Sequence, residues 1–251
     1  MHKILFFTLF FPFCILFSKD IFFTEQQQVW IDTHKTIFLS NELDWYPYDF
    51  NDKNEPKGYI VDFMDLVFKK IGIKRVYKTA PWPELQKQFE NNSIELLLPV
   101  SKTKQRKQKY ILSLPVLDIN YVLIRRINEP NIEKLSDLAG KKLALLEGWV
   151  ISDYLKTHFP DIDFISYDNS QDALEAVAFG LVDGVVDDRL VALSLINNKM
   201  LSNLQIASKV HFDDLETSLH VMASIENKIL IDIINQTINS LDKNEVRVCK
   251  K

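Results

Sequence analysis

Arg106 is the side chain in this sequence best suited to grip an anion. Its planar guanidinium can make two parallel charge-assisted bonds to a carboxylate, which a lysine cannot reproduce. It sits in the basic run Lys102–Lys109, which on charge pattern alone reads as a solvated loop or helix end. Ser101, just upstream, adds a hydroxyl or a backbone donor. A zwitterion also needs an acid for its ammonium. Asp188 follows the apolar stretch Val182–Val186 and precedes a helical stretch, so it stands at the carboxyl end of a strand, where open α/β sheets place their ligands. The same position suits a helix N-cap, and the local pattern fits both roles. Asp187 alternates away from Asp188 along the strand or meets a basic side chain.

Trp45 and Trp82 can cover a ligand's apolar body, stack on a cation or simply fill the core. In Glu147-Gly148-Trp149, a strand gives way to a helix, and Gly148 lets backbone amides approach a carboxylate at the helix start. Glu42, after the first strand, is placed to read a ligand side chain. Signs of catalysis are few. The five histidines are scattered without metal-ligand spacing, and there is neither a glycine-rich phosphate loop nor a nucleophile elbow. The expectation is a binder with no cofactor and no metal. A net charge of −4 argues against a nucleic-acid partner.

Elements that would position these residues alternate along the chain. Ile37–Leu39 reads as a strand. Ile60, Phe63, Met64, Val67 and Ile71 recur at helical spacing before Gly72. Lys74–Lys78 predicts a strand, Trp82–Glu90 a helix, Ile94–Leu98 a buried strand, and Tyr121–Ile124 another apolar run. The order then repeats. Strands are expected at Lys142–Leu146, Asp163–Ser166 and Val182–Val186, with helices at Ile151–His158, from Asn169 to Gly180, and at Arg189–Ile196. A strand around Leu219–Ala223 and a helix from Asn227 to Ser240 finish the chain. Such alternation predicts α/β layers with largely parallel sheets.

Asn128–Pro130 and Val210–Asp214 are polar or broken connections, read here as the places where the chain passes between two lobes. Lobe 1 would then comprise residues 36–122 plus 212–251, and lobe 2 residues 127–208. Two crossing strands would form a hinge, with the ligand in the cleft.

The N-terminus has a basic start, Met1-His2-Lys3, then an apolar stretch of about fourteen residues, Ile4 to Phe17, and the small residue Ser18. This pattern suits a signal peptide over residues 1–18 and a periplasmic mature chain. An uncleaved anchor is the alternative reading. Bulky Phe13 before Cys14 argues against lipoprotein processing. Cleavage would leave Cys249 as the one thiol, so stability must come from core burial and not from disulfides.

Several motifs, in order, resemble one family. Trp45-Tyr46-Pro47-Tyr48-Asp49-Phe50 is similar to an aromatic-Pro-aromatic segment. Gly58-Tyr59-Ile60-Val61-Asp62-Phe63 is similar to a Gly-aromatic-acid-x-Asp signature, with Ile60 in place of the acid. Thr103-Lys104-Gln105-Arg106 matches Thr-x-x-Arg, Leu135–Lys142 matches Leu-x-Asp-Leu-x-Gly-Lys-Lys, and Gly180–Asp188 is similar to Gly-x-x-Asp-Ala-Val-x-x-Asp. The chain from about Thr36 onward thus resembles the extracellular solute-binding proteins of family 3, which bind polar amino acids for bacterial uptake. Thr24-Glu25, Trp30 and His34 resemble the lead-in of the periplasmic Venus flytrap domains of sensor kinases and diguanylate cyclases.

The resemblance implies a two-lobed periplasmic-binding-protein-like α/β fold with a two-strand hinge. It implies that Arg106 takes a ligand carboxylate, that Asp188 takes an ammonium, and that Trp45 and Trp82 line the cleft. Three departures bear on ligand identity: Pro99 in place of a glycine, Leu112–Val116 without its usual aromatics, and the pair Asp187-Asp188. The expected function is to bind an amino acid or related carboxylate and present it to an inner-membrane permease of an ABC transporter. The alternative is a sensory module of a truncated transmembrane signalling protein, with a signalling partner. A dehydratase of the same fold is a third reading.

Overall fold

The computed structural model describes residues 21–213 and 215–249. The signal-peptide expectation for residues 1–18 lies outside the described residues. In chain order the elements are α1 (Glu25–Thr33), β1 (Thr36–Asn41), β2 (Asp44–Trp45), β3 (Asp49–Asp52), β4 (Glu55–Lys57), α2 (Tyr59–Ile71), β5 (Lys74–Thr79) and α3 (Trp82–Glu90). They continue through β6 (Leu97–Ser101), α4 (Lys104–Lys109), β7 (Tyr110–Asp118), β8 (Tyr121–Arg126), β9 (Lys142–Leu146), α5 (Val150–His158), β10 (Asp163–Tyr167) and α6 (Ser170–Ala178). The last are β11 (Gly184–Asp188), α7 (Arg189–Asn198), β12 (Leu204–Lys209), β13 (Ser218–Ser224), α8 (Lys228–Ser240) and α9 (Lys243–Val248).

Two α/β lobes result. In the first, β1 pairs in parallel with β5 and reaches the β6-β13-β7 sheet through a bridge from Leu39 to Leu96. Helix α2 lays Ile60, Phe63, Met64, Val67, Phe68 and Ile71 into this lobe's core. Helical spacing of those apolar residues, with lysines on the opposite face, is why this stretch forms an amphipathic helix. The second lobe is a five-stranded sheet in the order β10-β9-β11-β8-β12. Its helix α6 is capped by Asn169, whose side chain accepts from the Asp172 amide at 2.9 Å. Leu174 and Val177 on its inner face and Val185 of β11 are completely buried.

The sheets are mixed, not largely parallel. Strand β8 runs antiparallel to both β11 and β12, and β13 runs antiparallel to both β6 and β7. The reason is the hinge. Parallel neighbours need a crossover segment, whereas β7→β8 and β12→β13 pass directly from one sheet into the other. The first passage therefore falls at Ile119–Asn120 and not at Asn128–Pro130, because Tyr121 already pairs with Asp188 in the second sheet. The second passage, 210–217, overlaps the expected one. Residues 121–122 belong to the second sheet, and the β6 ladder starts at Leu97 instead of Ile94.

Candidate functional site

The cleft wall on the first lobe begins where β6 ends. Thr103 starts α4, its hydroxyl accepting from the Arg106 amide at 3.1 Å. The short helix turns the Arg106 side chain back, and Nη1 donates to the Ser101 carbonyl at 2.8 Å. Only one edge of the guanidinium is occupied this way. Arg106 is half-buried and has no carboxylate within ion-pair distance among the described residues. Burial disfavours its charged form and lowers its pKa. An uncompensated cation in such a place is a seat for an anion. The rest of the basic run behaves as a solvated face, with Lys104, Lys107 and Lys109 exposed and Lys102 paired with Glu216 at 3.0 Å.

Aromatic rings build the remaining walls. Trp45 comes from the β2–β3 hairpin and Trp82 opens α3 behind Pro81. The hairpin is seated by Gly58, whose φ is 112° and whose position next to the Tyr48 carbonyl leaves no room for a Cβ. From the second lobe, Gly148 adopts φ 75°, a region that favours glycine, and delivers Trp149 and the start of α5 to the cleft. Helix α5 begins without a side-chain cap. Trp45 and Trp149 meet edge to face across the cleft at 5.8 Å.

The rings divide the cleft. An inner cavity of about 60 Å³ lies against Arg106, Ser101, Pro99, Tyr121 and Leu219. An outer hollow of about 510 Å³ is lined by Asp44, Glu147, Asp168, Ser170 and others. Glu42, Trp45, Trp82, Gly148 and Trp149 line both and form the neck. The inner cavity is well below the ~150 Å³ that accepts a benzene-sized molecule, so it suits the polar end of a ligand whose body extends outward. Trp45 Nε1 is buried at this neck without a hydrogen-bond partner. An orphaned donor of this kind costs about 1–3 kcal/mol, which an acceptor on a bound molecule would offset.

The structure therefore brings Arg106, Ser101, Trp45, Trp82, Gly148, Trp149 and Glu42 together. Asp188 and Asp187 lie behind this wall. Asp188 is fully buried and caps α7, Oδ1 accepting from the Leu190 and Val191 amides at 2.8 and 3.1 Å. Tyr48, reaching across from the first lobe, donates to the same oxygen at 3.0 Å, and the Asn120 amide donates to Oδ2 at 3.1 Å. Of the two roles the sequence leaves open for Asp188, this geometry is that of the cap. Asp187 accepts from the Asp188 amide at 2.7 Å, and its Oδ2 has no hydrogen-bond partner among the described residues. Burial pushes its carboxyl up to about 7. No basic side chain meets Asp187 within ion-pair distance among the described residues.

Glu42 is the other perturbed acid. Burial first, then the neighbouring Asp49 and Asp44 charges, raise it to about 8. Asp49, itself raised to about 7 by burial, pins the Glu42 amide at 3.0 Å and accepts from Asn41 Nδ2 at 2.6 Å. Sequence reasoning passed over Tyr48 and Tyr121 as functional residues. Tyr48 stands three residues after Trp45 in the aromatic segment, which is the signal that pointed to it. Among the described residues no group of three His, Cys, Asp or Glu side chains is placed to hold a metal.

Comparison with known proteins identifies the family and the fold. Residues 38–248 match the family model of bacterial extracellular solute-binding proteins, family 3. The L-cystine-binding protein TcyJ of Escherichia coli K12 is 24% identical over 83% of this chain and 78% of that protein. The virulence sensor protein BvgS of Bordetella pertussis is 23% identical over 80% of this chain, which spans only 16% of the sensor's length. The crystal structure of the periplasmic VFT2 domain of Bordetella pertussis BvgS superposes with a TM-score of 0.81 at 19% identity, covering 90% of this chain and 97% of that one. That likeness shows the two-lobed fold.

Proposed function

Because the chain belongs to the bacterial extracellular solute-binding proteins of family 3, we propose that it binds a small amino-acid-like carboxylate between its lobes. The observation that carries this reading is Arg106: a half-buried guanidinium without an acidic partner, at the head of an aromatic cleft closed from both sides. The ligand carboxylate sits on the free edge of Arg106, its body passes the neck between Trp45, Trp82 and Trp149, and contacts from both lobes favour the closed state. The mature chain works outside the cytoplasm and delivers its ligand to a membrane transporter, the role indicated by relatives named as binding proteins of ABC transporters. It acts as a binder and not as an enzyme.

A second reading rests on the sensor relative, which matches this chain over nearly the same length as the cystine binder does. In that reading closure biases a signalling partner. The test of the shared core is a melting-temperature screen with all common amino acids and small carboxylates. A cognate ligand at a hundredfold excess over its Kd adds about 2.7 kcal/mol, or roughly 5–10 °C for a chain of this size. A screen without any shift overturns the amino-acid reading.

A further inference from the structure

Asp188 has no capacity left for a ligand. An ionised carboxylate offers about four lone-pair sites, and Asp188 already takes four donors: Tyr48 Oη, the Leu190 and Val191 amides, and the Asn120 amide. The three amides belong to the second lobe and the hinge. Tyr48 alone comes from the first lobe, and both side chains are buried. The hairpin that carries Tyr48 is a firm mount. The Tyr48 amide donates to the Trp45 carbonyl at 2.9 Å, and the Ile60 amide at the start of α2 donates to the Tyr48 carbonyl at 2.8 Å. The same hairpin holds Trp45 edge to face against Trp149. No ion pair joins the lobes among the described residues, so the Tyr48 bond and this ring contact are directional links between them. Behind the hairpin, Tyr48, Asn120 and Leu190 border a groove of about 890 Å³, so the lobes are not packed face to face there.

We propose that Tyr48 and Asp188 form a latch between the lobes, in which the tyrosine hydroxyl takes the place of a ligand group and holds the empty protein closed. Ligand then enters through the minor open state, and the latch sets how often that state is populated. Opening leaves little unsatisfied. Asp188 keeps the two α7 amides and the Asn120 amide, and the Tyr48 hydroxyl exchanges the carboxylate for water. What is lost is one charge-assisted hydrogen bond, which shifts a closed-to-open ratio about ten- to a hundredfold. Burial first, then the Asp188 charge, raises the Tyr48 pKa, so the donor keeps its proton at neutral pH. The latch works whatever ligand the cleft takes.

The experiment is small-angle X-ray scattering of the protein, freed of bound solute by unfolding and refolding, as wild type, Y48F, D188N and the double variant. The empty wild type should scatter as the closed structure described above. Y48F deletes the hydroxyl and leaves the ring in the core. Its radius of gyration should increase, with a closed-to-open ratio about ten- to a hundredfold lower. D188N keeps an oxygen for the α7 amides while weakening the same bond from the other lobe. It should open to an intermediate extent, and the double variant should open no further than Y48F. Circular dichroism melts establish that each variant is folded, and D188N supplies the test should Y48F fail to fold. Folded variants that scatter as the closed wild type overturn the proposal and make the bond a structural tie beside the hinge. An empty wild type that is already open overturns it as well. Neither outcome touches the amino-acid reading of the cleft, which the melting-temperature screen tests separately.

Discussion

The first lobe meets the cleft with ionisable side chains: Arg106 from α4 and Glu42 after β1, neither paired with a group of opposite sign among the described residues. At the inner cavity the second lobe presents backbone and rings, namely the Gly148 turn, Trp149, Tyr121 and the uncapped start of α5, while its Glu147 and Asp168 line only the outer hollow. Of its own acids beside the hinge, Asp188 is taken up by internal hydrogen bonds, and Asp187 is buried with one oxygen on the Asp188 amide and the other unpartnered. On the proposed reading, the difference means that one lobe reads the ligand while the other covers it.

The sharpest way to break this comparison is Arg106→Ala. Loss of the bidentate partner of a buried carboxylate should cost about 2–5 kcal/mol of binding, roughly thirty- to several-thousand-fold in Kd. The melting temperature of the empty protein should hardly change, since Arg106 has no ion pair to lose. Titration calorimetry and a thermal melt check the two halves. The mirror experiment on the second lobe is Asp188→Ala. It removes the α7 cap and the Tyr48 bond, so stability should fall by about 2–4 kcal/mol. Denaturant unfolding should show that loss. A protein as stable as the wild type would remove Asp188 from the role of cap.

A pH series sharpens the comparison next. Burial raises Glu42 to about 8 and Asp49 and Asp187 to about 7. The unfolded chain gives up these protons near pH 4–4.5. Between about pH 4.5 and 8 the unfolded state therefore binds fewer protons than the folded state, and stability must fall as pH rises. We expect stability to fall continuously across that window, with all three acids contributing up to about pH 7 and Glu42 alone from there to about pH 8. Glu42→Gln should flatten its upper end and Asp187→Asn its middle, which assigns the loss to one lobe or the other. A flat or rising stability curve would contradict the buried-acid picture. The smallest effect expected is from Gly148→Ala. A Cβ there meets nothing within 4 Å, so only the backbone objects to φ 75°. That strain is worth about 1–2 kcal/mol, readable in the same melts.

Much of this was legible in the residues. Helix α2 begins and ends where its apolar spacing does, because one face of Tyr59–Ile71 is packed and the other solvated. Strand β9 and helix α3 fall within their expected bounds for the same reason. The hinge was harder. Only Asp118 and Asn120 interrupt the apolar run around Ile119, where the chain changes sheets, and this short break is less conspicuous than the polar stretch Asn128–Pro130. Asp188 was harder still. A strand's carboxyl end and a helix N-cap coincide at that one residue, and only the donors around it decide between them. Glu42 appeared as a side-chain reader without any sign of its raised pKa, because Asp49, its main charged neighbour, reaches it only through the fold of the hairpin.

The central claim is that Arg106 takes the ligand's carboxylate. The most direct test is a two-by-two titration of wild type and Arg106→Ala with an amino acid found in the thermal screen and with its carboxamide, which has the same shape without the negative charge. The account predicts strong coupling: the carboxamide binds the wild type at least about thirtyfold more weakly than the acid does, and the variant binds both alike. Equal penalties for the carboxamide in both proteins would show that the carboxylate is held elsewhere.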